Sequence, residues 1–254
     1  MRSSCLALAI VLAACSSKST GRKVRVAAAA DLARAFEEIA KEFTERTHIT
    51  PELNFGSSGL LAKQIEQGAP FFLLASADKM FVDHVVEAGR CDAASVQLYA
   101  RGRIVVWTPT GGPAPLKLED LARPEFKRIA IANPEHAPYG RAAKQALEKI
   151  GVWSQIESRI VLGDNVQATM LFAKERNVEA AIVALSLTVV TDGGTALPID
   201  PKLYDPLDQA LVVCGAGEEA DAAHQFAAFI NSREGREIMT RYGFLLPGEQ
   251  LRTQ

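Results

Sequence analysis

The sequence predicts an α/β fold of two lobes, each a mostly parallel sheet flanked by helices, and three observations predict it. Short apolar runs alternate with stretches of helical period in a β-α-β-α-β-α rhythm, the pattern of parallel strands covered by helices. The rhythm breaks at a cluster of turn-forming residues, Pro109, Gly111, Gly112, Pro113 and Pro115, and then restarts. The chain has 254 residues, 48% hydrophobic and 23% charged, a balance that fills one large unit or two lobes of ordinary size and excludes wholesale disorder.

Residues 24–29 read as the first strand. The next stretch, 32–46, reads as an amphipathic helix because Leu32, Phe36, Ile39, Ala40 and Phe43 share one face, and Asp31 stands at its expected N-cap. A second strand, 50–55, runs into Gly56-Ser57-Ser58-Gly59 and a helix over about 60–66 that Gly68 ends. Residues 71–75 read as a buried strand and 79–88 as a helix stopped by Gly89. The β-rich run 104–108 meets the proline and glycine cluster, which reads as a crossing between lobes. Beyond it follow strand 128–132, helix 141–150 with Gly151 as its stop, strand 160–162, helix 166–175 and strand 180–184. Strand 210–213 and helices over about 220–231 and 233–241 close the chain. With 198–206 as the return crossing, residues 23–105 and 206–254 form lobe I, which carries the C-terminal helices, and 106–205 form lobe II.

Charge narrows the function. With 28 Lys+Arg against 30 Asp+Glu, the chain has no global positive field to gather a polyanion, so nucleic acid is excluded as an expected partner and any bound anion must be held locally. The histidines (His48, His84, His136, His224) are dispersed, and neither C-x-x-C nor H-E-x-x-H occurs, so no protein-ligated metal is expected. Away from the N-terminus only Cys91 and Cys214 remain, and both a disulfide and separate thiols are compatible with their spacing.

The first apolar run, 5–14, is far short of the ~20 residues that span a bilayer and reads as an export signal. Leu12-Ala13-Ala14-Cys15, followed by Ser16, Ser17 and Lys18, resembles the lipobox of bacterial lipoproteins. That resemblance implies a signal peptide at 1–14, lipid attachment at Cys15, a tether over 15–22 and an extracytoplasmic, membrane-anchored protein. A plain secretory signal is the alternative. No later segment is apolar enough to cross a membrane, so the remainder is expected to be exported and soluble.

Four strand ends run directly into helix starts: Ala30-Asp31, Gly56-Ser57-Ser58-Gly59, Pro138-Tyr139-Gly140 and Asp164-Asn165-Val166. Helix N-termini carry free N–H groups and a partial positive charge, and in open α/β sheets such turns gather beyond the carboxyl ends of the strands. Together they form an anion pocket that needs no lysine or arginine, to which Ser57 and Ser58 add hydroxyl donors.

The segments AAAADLARAFEEIAKEF, FGSSGLLAKQIEQGAP, SAD at 76–78, GRIVVW, IAIANPEHAPYGRAAKQALEKIG, VLGDNVQ, VALSL and RYGFLLP resemble, in order and over nearly the whole chain after the tether, the periplasmic molybdate-binding proteins of ABC importers. The resemblance implies a two-lobed Venus-flytrap fold that closes on molybdate or tungstate and delivers it to a membrane permease. It also implies a monomer that is not an enzyme and needs no cofactor. Carried over by motif, the ligand's hydrogen bonds come from Ala30 and Asp31, from Ser57 and Ser58, and from the backbone N–H groups of Tyr139 and Val166. The departures are specific: Ala30-Asp31 lacks the first-motif hydroxyl common in the family, Phe72 replaces a usual aspartate, and Ala184 stands where some members offer a tyrosine.

Competing readings remain. Gly215-Ala216-Gly217-Glu218-Glu219-Ala220 matches G-x-G-x-x-A after a strand but lies too near the C-terminus for the rest of a dinucleotide unit. A serine hydrolase would need Ser57 or Ser58 beside His136. Within the same fold, sulfate, phosphate or another oxyanion is the rival ligand, and Asp31 turned inward would accept the proton of hydrogenphosphate.

Overall fold

In the computed structural model, which describes residues 21–249, the chain is built on two five-stranded mixed sheets. The signal peptide, Cys15 and most of the tether lie outside the described residues. Strands β1 (Lys23–Ala29), β2 (Thr50–Gly56) and β3 (Leu73–Ser76) are mutually parallel, with helices α1 (Ala33–Thr47) and α2 (Ser58–Glu66) between them. After α3 (Lys79–Glu87) comes β4 (Gln97–Gly102), an edge strand of this first sheet. The chain then enters the second sheet through β5 (Ile104–Pro109), followed by β6 (Ile129–Ala132), α4 (Pro138–Lys149), a single turn α5 (Trp153–Ile156), β7 (Ile160–Gly163), α6 (Val166–Lys174), β8 (Ala180–Ala184), the short α7 (Leu185–Thr188) and β9 (Gly194–Pro198). It returns through β10 (Leu207–Val213) and ends with α8 (Glu218–Ile230) and α9 (Arg233–Arg241), which pack on the first sheet and on α1.

The strand orders are β2-β1-β3-β10-β4 and β7-β6-β8-β5-β9. Neither sheet is as parallel as expected: β10 runs against β3 and β4, and β5 runs against β8 and β9. Both β5 and β10 enter from the opposite lobe. A strand that starts at the hinge runs away from it, opposite to the parallel strands whose carboxyl ends face the other lobe. Periodicity carries no such information about direction.

The first crossing also differs from expectation. Arg103 alone separates β4 from β5, so residues 104 and 105 belong to the second sheet. The proline and glycine cluster at 109–115 is instead a turn at the far end of β5, tied to the start of β9 by Thr110 N–H to the Gly193 carbonyl at 2.8 Å. Prolines and glycines mark a change of direction but do not distinguish a far turn from a hinge. The return crossing is the segment 199–206, between β9 and β10.

Packing explains the helices. In α1 the buried face is Phe36, Ile39, Ala40 and Phe43, as read. Phe36 and Phe43 meet Phe226 of α8 with ring centroids 6.0 and 5.1 Å apart, so the amphipathic stripe fastens the C-terminal helix to the lobe. Trp107 of β5 is buried in the other lobe.

Cys91 and Cys214 form a disulfide across 123 residues of sequence, resolving the alternative left open by their spacing. The bridge joins the segment after α3 to the end of β10, so the closed loop contains all of lobe II. Replacing both cysteines by serine is expected to lower the unfolding free energy of lobe I by about 2–4 kcal/mol, measured by urea denaturation. An unchanged midpoint would show that the bridge contributes nothing.

Candidate functional site

All six residues read as ligand contacts, Ala30, Asp31, Ser57, Ser58, Tyr139 and Val166, line one small cavity between the lobes. The sheets make this convergence. Ala29 at the end of β1 is paired with Gly56 at the end of β2, and Ala132 at the end of β6 with Gly163 at the end of β7. Each lobe therefore presents two neighbouring strand ends, and the helix start that follows each of them faces the other lobe. The space, about 10 Å³, is far below the ~300–1,000 Å³ of drug-sized pockets, so the latched cleft has room for no more than a ligand of a few heavy atoms.

Three of the four turns leave a donor free. At α6 the Asn165 side chain caps the amides of Gln167 (3.0 Å) and Ala168 (2.9 Å), passing over Val166 at the first helical position. In α4, Pro138 holds the first position and has no N–H; the Tyr139 amide follows and has no acceptor within its helix. Gly140 lets that turn sit on the end of β6, since a Cβ there would lie 1.9 Å from the Ala132 carbonyl oxygen. Ser58 begins α2, earlier than expected, and its Oγ accepts the Ala77 amide at 3.0 Å, which leaves the hydroxyl proton available to a ligand.

Ser57 is used differently. Its Oγ lies 2.6 Å from the His136 carbonyl oxygen, to which it donates, and 2.8 Å from His136 Nδ1. The Gly59 amide donates to the same carbonyl at 3.0 Å. These bonds join lobe I to lobe II, as do Ser186 Oγ, which donates to the Asp31 carbonyl at 2.8 Å, and the ion pair of Arg141 with Asp78. The lobes are thus latched around the cavity. Of the two pairings that a hydrolase would use, Ser57 with His136 forms; no carboxylate orients the ring among the described residues, and the serine proton is shared with a carbonyl.

Asp31 departs most from expectation. It does not cap α1: it lies in a 3-10 turn, Ala30–Leu32, that precedes the helix, and no side chain caps either element. Its carboxylate is only 1% exposed and accepts the Tyr139 hydroxyl at 2.9 Å and the Gln209 side-chain amide at 2.6 Å, both on Oδ2. Gln209 was not recognised from sequence; a lone amide within the apolar run of β10 was the available signal, because buried polar groups are seldom unpaired. Burial pushes the Asp31 carboxyl up to about 6, against the lowering effect of these two hydrogen bonds and of the residue's own backbone N–H. The Tyr139 hydroxyl is pushed well above the usual tyrosine range by burial and by the nearby Asp31 charge. Among the described residues, no lysine or arginine lines the cavity.

The nucleotide-like glycines are a turn. Gly217 precedes α8 at φ 87°, and α8 and α9 follow rather than a further β-α-β unit.

Two lobes joined by two short crossings, with helix N-termini from both facing a small cavity, define a protein that closes on a small solute. Comparisons give the particular family. Residues 24–245 match the family described as bacterial extracellular solute-binding protein. The chain is 33% identical over 248 residues to the molybdate-binding protein ModA of Rhodobacter capsulatus, covering 96% of each. It is 31% identical over 243 residues to the ModA of Azotobacter vinelandii, covering 94% of this chain and 95% of the relative. The structure of the Azotobacter vinelandii periplasmic molybdate-binding protein superposes with a TM-score of 0.82 at 27% identity, covering 88% of this chain and 99% of that one. The chain belongs to the bacterial extracellular solute-binding protein family, with the molybdate-binding ModA proteins as its relatives.

Proposed function

We propose that the protein captures molybdate, or tungstate, in the cleft between its lobes and hands it to an ABC-type permease. The observation that carries this reading is the cavity's chemistry: helix-start amides at Ser58, Tyr139 and Val166 and the Ser58 hydroxyl surround a space without a cationic side chain. Fixed dipoles of this kind favour an anion that offers acceptors on every side, as a fully deprotonated tetrahedral oxyanion does. In this reading Ala30 and Asp31 contribute backbone from the first turn, and Ser57 holds the closing loop through His136 while lining the cavity. The protein acts as a carrier rather than an enzyme, and it needs no cofactor. Lipid attachment at Cys15, which lies outside the described residues, would keep it at the membrane near its permease as a monomer.

A thermal-shift series tests the ligand. At a hundred times its dissociation constant, a ligand of the folded state adds about 2.7 kcal/mol of stability, which raises the midpoint clearly. Molybdate and tungstate are expected to produce that shift, sulfate and phosphate little. A shift with phosphate alone would reassign the ligand, and turnover of simple esters that disappears in Ser57→Ala would reassign the class.

A further inference from the structure

We propose that Asp31 meets the bound oxyanion as a neutral carboxylic acid, taking up a proton from solvent as the cleft closes and donating it from Oδ1 to the ligand. The inference rests on the reading of the cleft as an oxyanion site and adds a co-bound proton to it.

Three features carry it. Asp31 is among the residues that line the cavity, with Ser57, Ser58 and Tyr139. Its two oxygens are unequal: Oδ2 accepts from both Tyr139 and Gln209, whereas Oδ1 is buried and has no hydrogen-bond partner. An ionised carboxylate so placed leaves a charged oxygen uncompensated, while a carboxylic acid needs only an acceptor for one proton, and a dianion beside it is that acceptor. Finally, the cavity holds no lysine or arginine to offset a carboxylate, so ligand and carboxylate would face each other as like charges, a situation that drives a carboxyl toward its protonated form. The raised pKa of about 6 without ligand points the same way.

Closure and protonation are linked because Tyr139 comes from lobe II whereas Asp31 and Gln209 come from lobe I. When the lobes meet, the carboxyl loses water, which raises its pKa and outweighs the opposing effect of the tyrosine hydroxyl that Oδ2 gains. The step balances as carboxylate plus one proton plus the dianion giving carboxylic acid hydrogen-bonded to the dianion.

The groups that face Asp31 leave it as the one that titrates. Tyr139 of α4 and Tyr99 of β4 both hold their protons well above the usual tyrosine range, chiefly through burial. Gln209 of β10 and Ser186 of α7 do not titrate. On the other elements packed against the turn, Arg34 of α1 pairs with Glu37 at the surface, Glu52 of β2 pairs with Lys23, and Lys174 lies at the far end of α6. His136 reaches the cavity through Ser57 and needs its own control.

The test is calorimetric titration of the full protein with molybdate between pH 6.5 and 8.5, at each pH in two buffers of different ionisation enthalpy. Above the carboxyl's unliganded pKa, about one proton should enter per molybdate bound and affinity should fall up to about tenfold per pH unit. Asp31→Asn should bind without proton uptake and with affinity independent of pH, while His136→Gln should keep the wild-type slope. Molybdate binding by the wild type without proton uptake overturns the inference and leaves the oxyanion site standing; this measurement decides even if Asp31→Asn does not fold. A slope that survives Asp31→Asn and vanishes in His136→Gln assigns the proton to His136 and also overturns it. So does a preference for hydrogenphosphate without proton uptake, which requires an ionised Asp31. Absence of molybdate binding at every pH defeats the function itself.

Discussion

Replacing Gly59 by alanine is expected to weaken oxyanion binding by about a hundredfold while both lobes stay folded. Gly59 lies in the first turn of α2, in lobe I, and a Cβ there would sit 2.8 Å from the carbonyl oxygen of His136 and 3.1 Å from its Cα, in lobe II. Those are backbone atoms and cannot rotate aside. The nearby Phe81 ring, 3.0 Å from the same point, is in lobe I, buried, and must give by a few tenths of an ångström whether the lobes meet or not. The clash with backbone therefore exists only when the lobes meet. In the separated state alanine is a better helix residue than glycine by about 1 kcal/mol, so stability without ligand should hold or rise. Closure also loses geometry at the Gly59 and Ser57 bonds to His136, and a combined penalty of about 3 kcal/mol corresponds to roughly a hundredfold loss of affinity. Calorimetry with molybdate reads the loss, and solution scattering should show no ligand-induced compaction. Wild-type affinity in Gly59→Ala would mean that this contact is not part of the bound state.

Val166→Pro removes the amide hydrogen from the site and exchanges a buried isopropyl side chain for a proline ring. The position is the first of α6, where proline's fixed φ suits the helix and its missing N–H breaks no intrahelical bond. Asn165 before it is extended, at φ −155° and ψ 175°, the conformation that a following proline demands. Its cap on Gln167 and Ala168 is untouched. What disappears is the amide offered to the anion. A hydrogen bond to a charged group contributes about 1.5–3 kcal/mol, so the dissociation constant should rise roughly 10- to 150-fold. Val166→Ala, which keeps the N–H, should stay close to wild type. Equal affinity in both variants would remove Val166 from the ligand set.

These two positions also show what the sequence discloses. Helix starts were legible as places because Gly56, Pro138 and Asn165 punctuate apolar runs, and their convergence followed from where strand ends lie in an α/β sheet. Their assignment atom by atom was not legible. That Ser57 serves His136 and Ser58 keeps a free proton depends on which way α2 enters, a matter of one residue of helix phase. Asp31 read as a cap because an acid before a helical stretch is usually one; a 3-10 turn moved the helix start beyond it, and Gln209, 178 positions later, claimed the side chain. Strands β4 and β9 escaped notice because Gln97–Gly102 and Gly194–Pro198 are edge segments with partly exposed, mixed residues. Edges lack the apolar run by which buried strands announce themselves.

The two crossings have a mechanical corollary. Gly102 is hydrogen-bond neighbour to Leu207 on one side of the hinge, and Val105 is neighbour to Pro198 on the other, so the connections run side by side. A pair of adjacent straps bends readily about one axis and resists torsion, as a door on two pins does. Each swing then returns the same amides to the same coordinates, and the solute meets a coordination shell whose shape is set by the frame rather than assembled anew at every capture.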